Sequence, residues 1–562
     1  MAVLTGDALQ LAADLGGLGT GGKAASRLLR FKEAARASEE ILATKAMGAA
    51  VGDPPIAWDG SPPFLGWSAT ALATAIRKGE LTSTAVVKAY IQRIRKVDVH
   101  LNALVAERFS AALAQAETVD RQIEASQGDP VKPWPPFLGV PIILKEALEY
   151  PGFPYTNGLL CRKGRVGESS GPVVRRIEAA GFIVLGTGNV SEACMWMETY
   201  NLVYGRSHNP YGLHLTPGGS SGGTAALVAA LGAPVGLTAD IGGSTRIPAL
   251  FNGLFGHKPT GGICPNTRTH LNEFHGAVCR ICQLGMVCRH ADDLLPLLKI
   301  MSGLPDSTED PLVREYRSPP SWGLPKLGHL RVGSLRFRGG WPGSAQELLL
   351  SGISGPQREA QAAAVSALRQ EGCEIEEIFL EDLVVGEWFG CWSTRIQAAG
   401  GAAFREVLCQ KGPLFGLGEL LRYAVGRSPF TFPALMLAFL EDWVQLVEPP
   451  LEKRLRISAE VEARLREVLT RCQVLLMPTL PRHGCLHDEL TVRVFDSCFT
   501  GIWNALEFPA TAVPMGLSAG KPVGIQIVSL PGKDELTLAV ASLLANTGVA
   551  RCIPPGASGD PR

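Results

Sequence analysis

The chain has 562 residues, 53 Lys and Arg against 53 Asp and Glu, and is 46% hydrophobic and 19% charged. That balance excludes general disorder and supplies apolar surface for a large core; with no clustered basic block, nucleic acid is not expected as a partner. The length allows several average domains or one large α/β domain, and 64 glycines without a repeat fit many tight turns rather than a solenoid.

In chain order, residues 1–50 interrupt their apolar positions with Asp7, Asp14, Lys23, Arg27, Arg30, Lys32 and Glu33, so neither a spanning helix nor a signal peptide is expected. Lys23 to Met47 reads as an amphipathic helix, either surface-associated or packed on the body as a lead-in. A Pro/Gly-rich break from Val51 to Trp67 closes this leader, giving expected units at 1–67, 68–550 and a tail at 551–562. Ser68 is a candidate N-cap, and Leu72, Ile76, Leu81, Val86 and Ile91 predict a helix over Ser68 to Arg95. A second helix is expected from Arg108 to Ala125. Phe137 to Lys145 reads as a short apolar strand ending in a lysine, followed by a helix at Val173–Ala180 and a strand at Phe182–Leu185.

The alternation continues with a strand at Leu330–Leu335, a helix at Pro356–Glu371 and a strand at Cys373–Phe379. Phe415 to Val447 reads as one long apolar helical stretch, its Phe430–Leu440 run being either a membrane-contacting cap or a buried helix. Strands return at Val474–Met477 and Val523–Val528 before a closing helix. Alternating helices and short apolar strands predict a large single α/β domain with a central twisted mixed sheet flanked by helices. The 13 cysteines are read as reduced, mostly buried thiols of an intracellular protein. Cys279, Cys282, Cys288 and His290 lack the second ligand pair of a zinc site, so no metal and no cofactor is expected.

Two serines cradled by glycine carry the chemistry. Ser220 sits in Gly218–Gly223 and Ser244 follows Asp240, Ile241, Gly242 and Gly243, 24 residues further on. Glycines let backbone approach a substrate closely, and the N–H groups of Ile241, Gly242, Gly243 and Ser244 are placed to converge on one oxygen as an oxyanion hole. Ser220 also matches the G-x-S-x-G elbow of α/β-hydrolases, but His208 to Pro217 ahead of it is proline-interrupted and loop-like where that motif needs a strand. Lys145 ends an apolar strand; burial disfavours an ammonium, and a neutral amine can serve as general base.

Lys145, the Gly218–Gly223 run and the Asp240–Pro248 run, in this order, resemble the amidase signature family. The likeness continues through Gly253–Thr260 and Phe508–Gln526 and covers roughly residues 68–545. The resemblance implies a Ser-Ser-Lys triad: Ser244 as nucleophile forming an acyl-enzyme, Ser220 as proton bridge after a cis peptide bond, and Lys145 as base and acid. Within the family the chain resembles fatty-acid amide hydrolases of the type 2 group, through Ser191–Trp196, Tyr204–Tyr211, Pro248–His257 and Phe430–Trp443. That likeness implies long-chain acyl amide substrates and an apolar pocket with Met195, Trp196 and Phe251 as lining.

Three departures are visible. The N-terminus is too charged for the apolar anchor of those enzymes, Thr224 stands where they usually have glutamate, and Ala239 stands where a small polar residue is common. The expected partner is a small acyl amide, with peripheral contact to a membrane or lipid surface and a homodimer left open. Alternatives are a short-chain or aryl-acyl amidase of the same family, an amidotransferase subunit, an α/β-hydrolase esterase, or a catalytically silent lipid-binding protein.

Overall fold

The computed structural model describes residues 56–556, except 59, 61, 127–132, 270–276, 304–323, 326, 338–351, 410–416 and 448. The expected leader helix at Lys23–Met47 and the second half of the tail, 557–562, fall outside these residues.

Eleven strands form one mixed sheet: β1 (Leu104–Glu107), β2 (Pro141–Lys145), β3 (Ile183–Gly188), β6 (Val235–Asp240), β7 (Phe255–Lys258), β8 (Gln283–Cys288), β9 (Arg331–Arg336), β10 (Glu374–Phe379), β11 (Val474–Pro478), β12 (Ala510–Ser518) and β13 (Lys521–Ser529). A separate two-stranded ribbon joins β4 (Tyr200–Asn201) to β5 (Gly205–Arg206). The sheet order is β1-β3-β2-β6-β8-β7-β12-β13-β11-β9-β10. β2 runs parallel to β3 and β6, and β9 parallel to β10 and β11, while antiparallel pairs from β6 through β13 join these two parallel groups. Strands β2, β3, β6, β8 and β11 are buried along their whole length, because helices cover both faces. The expected single α/β domain with a mixed sheet is what the chain forms.

Two helices expected as one are each broken by a glycine. Ser68 to Arg95 divides into Ala69–Arg77 and Ser83–Leu101, with Gly79 at φ +72° between them and Thr82 capping the second helix by accepting from Ala85 N–H. The Phe415–Val447 stretch likewise divides into Leu417–Ala424 and Phe432–Val447 around Gly426 at φ +71°. The strand expected from Phe137 begins only at Pro141, since Phe137 to Gly139 make a turn that returns the chain to the sheet.

The largest core runs along the sheet, from Ile142 and Val184 of β2 and β3 to Val332 of β9 and Leu476 of β11. A second lies beneath the helices Trp388–Ala398, Leu451–Cys472 and Cys498–Ala505, where Trp388, Phe499 and Trp503 meet edge to face at ring separations of 5.7 to 6.1 Å. A third, smaller cluster gathers Phe404, Val407, Phe430 and Leu435 under the Phe432–Val447 helix. The candidate site lies where the parallel strands β2 and β6 end and the second core begins.

Candidate active site

Lys145 is the last residue of β2 and is 1% exposed. Its Nζ donates to Ser220 Oγ at 2.7 Å and to the Ala239 carbonyl of β6 at 3.2 Å. Among the described residues no carboxylate pairs with it. The next residue, Glu146, accepts from the backbone N–H groups of Thr156 and Asn157 and from the hydroxyls of Thr156 and Tyr204, which pins the chain as it leaves the strand. Burial pushes the Glu146 carboxyl up to about 7 against these hydrogen bonds.

Ser220 reaches Lys145 from a loop that precedes the Gly222–Ala229 helix, not from a strand, so the hydrolase-elbow geometry is absent there. The Gly219–Ser220 peptide is cis. Gly219 is required by close approach: a Cβ there would stand 2.5 Å from the Trp196 carbonyl oxygen and 2.7 Å from the Glu198 nitrogen. The Ser221 hydroxyl donates to the Ala239 carbonyl at 3.5 Å.

Ser244 lies in the turn between β6 and the Arg246–Phe251 helix and is 8% exposed. Lys145, Ser220 and Ser244 line one small recess of about 10 Å³ together with Cys194, Thr269 and Cys282. Burial pushes the Cys194 thiol up to about 11, leaving it a neutral thiol beside Ser220. The three triad candidates, 75 and 24 residues apart in sequence, therefore share one pocket.

Each peptide of the Ser244 turn is held at its carbonyl. Asn504 Nδ2 donates to Asp240 O at 2.8 Å, Trp392 Nε1 to Ile241 O at 2.8 Å, Thr500 Oγ1 to Gly242 O at 2.6 Å, and Ile247 N to Gly243 O at 2.7 Å. Beneath them Asp240 accepts from Gly243 N at 2.7 Å, Thr245 N at 3.2 Å and the Arg246 guanidinium at 3.0 Å. Burial opposes ionisation of Asp240, but the adjacent Arg246 charge and its hydrogen bonds outweigh it and hold the carboxyl at about 2. The expected four-donor oxyanion hole is corrected in one respect: the Gly243 N–H is already given to Asp240. Among the described residues, no protein acceptor takes the N–H of Ile241, Gly242 or Ser244.

Ser244 opens onto a cavity of about 390 Å³. Met195, Trp196, Phe389, Trp392, Phe404 and Leu437 form much of its apolar wall, with Gln397, Glu406 and Arg454 among its polar lining. Phe389, Trp392, Ser393, Ile396 and Gln397 follow helical spacing, so one face of the Trp388–Ala398 helix forms a side of the cavity.

The sequence profile of the amidase family matches residues 85–538. The chain belongs to the amidase family. Fatty-acid amide hydrolase 2-A of Danio rerio is 37% identical over 492 residues, covering 86% of this chain and 88% of that protein. Fatty-acid amide hydrolase 2 of Homo sapiens is 34% identical over 497 residues, covering 86% and 90%. A solved structure of a fatty acid amide hydrolase shares the fold at a TM-score of 0.67 and 21% identity, covering 88% of this chain and 87% of that one. This amidase is an enzyme that hydrolyses amide C–N bonds.

Of the three expected lining residues, Met195 and Trp196 face the amidase cavity and Phe251 does not. Phe251 is fully buried with Met197, Leu250, Leu480 and Leu490, because the Arg246–Phe251 helix carries it away from Ser244 at about 1.5 Å per residue. His257 is fully buried too, between Thr511 Oγ1 at 2.9 Å and Asp534 Oδ1 at 3.2 Å, and lines neither recess. Cys282 and Cys288 flank and end strand β8, which at about 3.3 Å per residue separates the candidate zinc ligands widely. Sequence reasoning missed Phe389, Trp392 and Phe404, whereas Leu437 lies in the Phe430–Trp443 run that carried the resemblance. The i, i+3, i+7 stripe of the first of these helices is the signal that marks one lining face.

Glu192 ties the active-site loop to the cavity cover, since its Oε2 accepts from Thr431 N at 2.8 Å at the start of the Phe432–Val447 helix. Burial pushes this carboxyl up to about 7. Among the described residues no helix is long and apolar enough to cross a membrane.

Proposed function

We propose that the amidase cleaves long-chain acyl amides to a free acid and an amine through an acyl-enzyme on Ser244. The observation that supports this best is an apolar cavity of about 390 Å³ meeting a serine beside the 2.7 Å Lys145–Ser220 hydrogen bond. Its relatives among the fatty-acid amide hydrolases of Danio rerio and Homo sapiens point the same way.

In this reading Lys145 Nζ is the terminal proton acceptor. Ser244 Oγ attacks the acyl carbon, its proton passes to Ser220 Oγ, and the Ser220 proton passes to Lys145 Nζ. The carbonyl oxygen gains the negative charge and meets the N–H groups of the Ser244 turn. As the C–N bond breaks, the proton returns from Lys145 through Ser220 to the nitrogen, so the amine leaves neutral. Water then attacks the ester by the same relay, releasing the acid and restoring Ser244. No histidine is needed, and a single shuttle serves as base and then as acid.

The same reading extends to a lipid surface. Leu420 and Leu421 on the Leu417–Ala424 helix, Val425 just beyond it, and Phe432 and Phe439 on the Phe432–Val447 helix that borders the cavity are exposed, and a Tyr423–Phe432 ring contact at 5.6 Å joins the two helices. The Phe432–Val447 helix turns Leu437 and Leu440 into the cavity and Phe439 outward, so an apolar substrate would pass from bilayer to cavity along one element. Co-sedimentation with phosphatidylcholine–phosphatidylserine vesicles tests it. Leu421→Glu with Phe439→Glu should release the enzyme, and unchanged co-sedimentation of that double variant would overturn the lipid contact.

The substrate assignment is tested by competition among acyl amides of graded chain length. Long chains should win, and a preference for acetamides or aryl amides would replace this reading with a short-chain or aryl amidase.

A further inference from the structure

An oxyanion hole works only if its N–H groups already point at the oxygen that becomes charged, and a trans peptide is a rigid plane in which C=O and N–H point in opposite directions. Holding the carbonyl of one residue therefore aims the N–H of the next. The Gly242 N–H belongs to the peptide whose carbonyl is Ile241 O, and that oxygen accepts the indole N–H of Trp392 at 2.8 Å. The indole also lies against the adjacent backbone: a Cβ on Gly242 would stand 3.2 Å from Trp392 Cζ2, and one on Gly501 would stand 3.2 Å from Cδ1. Gly242 has no side chain to fix its own peptide and would otherwise rotate freely. Trp392 also lines the cavity at Ser244, so it meets both the substrate channel and the back of the oxyanion turn.

We propose that Trp392 is a positioning residue for catalysis: through its hydrogen bond to Ile241 O it aims the Gly242 N–H at the oxyanion. The inference rests on Ser244 being the nucleophile. The neighbouring peptides are held differently. Asn504 aims the Ile241 N–H through Asp240 O, while Thr500 and Asp240 together hold the Gly242–Gly243 peptide with its N–H turned inward. Of the donors without a protein acceptor, Gly242's is thus the one whose direction depends on a side chain from the Trp388–Ala398 helix.

The test replaces the indole N–H while keeping a ring. Trp392→Phe, and a variant carrying the benzothiophene analogue of Trp at 392 with sulfur in place of the N–H, are assayed beside Ser244→Ala. Removal of a single oxyanion donor costs about 10²–10³ in kcat, so misaiming one should lower kcat about 10–100-fold. KM should stay within about threefold, and the Ki of a trifluoromethyl ketone should rise in parallel with the fall in kcat/KM, because that inhibitor presents an oxyanion and the ground-state amide does not. The benzothiophene variant preserves shape and decides the matter where Trp392→Phe fails to fold. Wild-type kcat in that variant, or a loss confined to KM, would overturn the inference and leave the acyl-enzyme intact. Activity surviving in Ser244→Ala would overturn both.

Discussion

Asp240 and Arg246 form an ion pair at 3.0 Å across the turn that presents Ser244, and neither side chain has any exposed surface. Asp240 ends β6 and Arg246 begins the following helix, so the pair closes the turn from below while Ser244 faces the cavity. Arg246 further donates to Gln526 Oε1 at 3.1 Å, to Asn504 Oδ1 at 2.6 Å and to the Thr500 carbonyl at 3.0 Å, joining the turn to β13 and to the Cys498–Ala505 helix. The position of Ser244 thus depends on a buried charge network rather than on the flexibility of its glycines.

Arg246→Ala leaves the Asp240 carboxylate buried without a counter-charge. Breaking such a pair from one side costs about 3–5 kcal/mol, so the urea midpoint should fall sharply and kcat with it. A midpoint within experimental error of the wild type would show that the pair is not structural.

The proposed relay is read most directly from two variants. Ser220→Ala and Lys145→Ala should each lower kcat by orders of magnitude without a comparable change in KM, and the double variant should be little worse than either, since groups acting as one unit are strongly non-additive. Residual activity of Lys145→Ala should rise in alkali as hydroxide replaces the missing base. Full activity at pH 7 would remove Lys145 from the mechanism.

Two buried carboxyls shift stability in opposite directions with pH. Asp240 is held at about 2 against an ordinary 3.8, so its contribution is present above about pH 4 and is lost as pH falls towards 2. Glu192 is raised by burial to about 7 from 4.5, so its contribution is full below pH 4.5 and is lost as pH rises through 7. Between pH 5 and pH 8 the Tm of wild type should therefore decline more than that of Glu192→Gln. Parallel Tm–pH curves would mean that Glu192 is already ionised in the fold.

Leu437 faces the cavity from its cover, and Leu437→Trp should narrow it. The KM for long acyl amides should rise about tenfold or more while short acyl amides keep theirs, because the loss comes from ground-state fit and not from the transition state. An equal effect on all chain lengths would place the acyl chain elsewhere.

How much of this was legible follows from the range of each interaction. Lys145 at the end of an apolar strand, and Ser220 and Ser244 among glycines, are readable because each lies in a short run whose backbone demands are local. The breaks at Gly79 and Gly426 carried the same kind of signal, yet the apolar spacing across them suggested continuous helices. Trp392 had no such mark. An aromatic residue on an amphipathic helix reads as core until the helix is docked, and only docking brings its indole to a carbonyl 151 residues earlier in the chain. Phe251 failed in the reverse sense, since nearness to Ser244 in sequence did not survive the direction of its helix.

The order of motifs along the chain therefore determined the family, the reaction and the three side chains proposed to perform it, because those depend on residue type and on backbone freedom within a few positions. Tertiary packing alone decided the sheet order, the Asp240–Arg246 closure, the direction of the peptides before Ser244 and the wall of the cavity. These arise where distant segments meet, and periodicity records that a face is buried without recording what buries it.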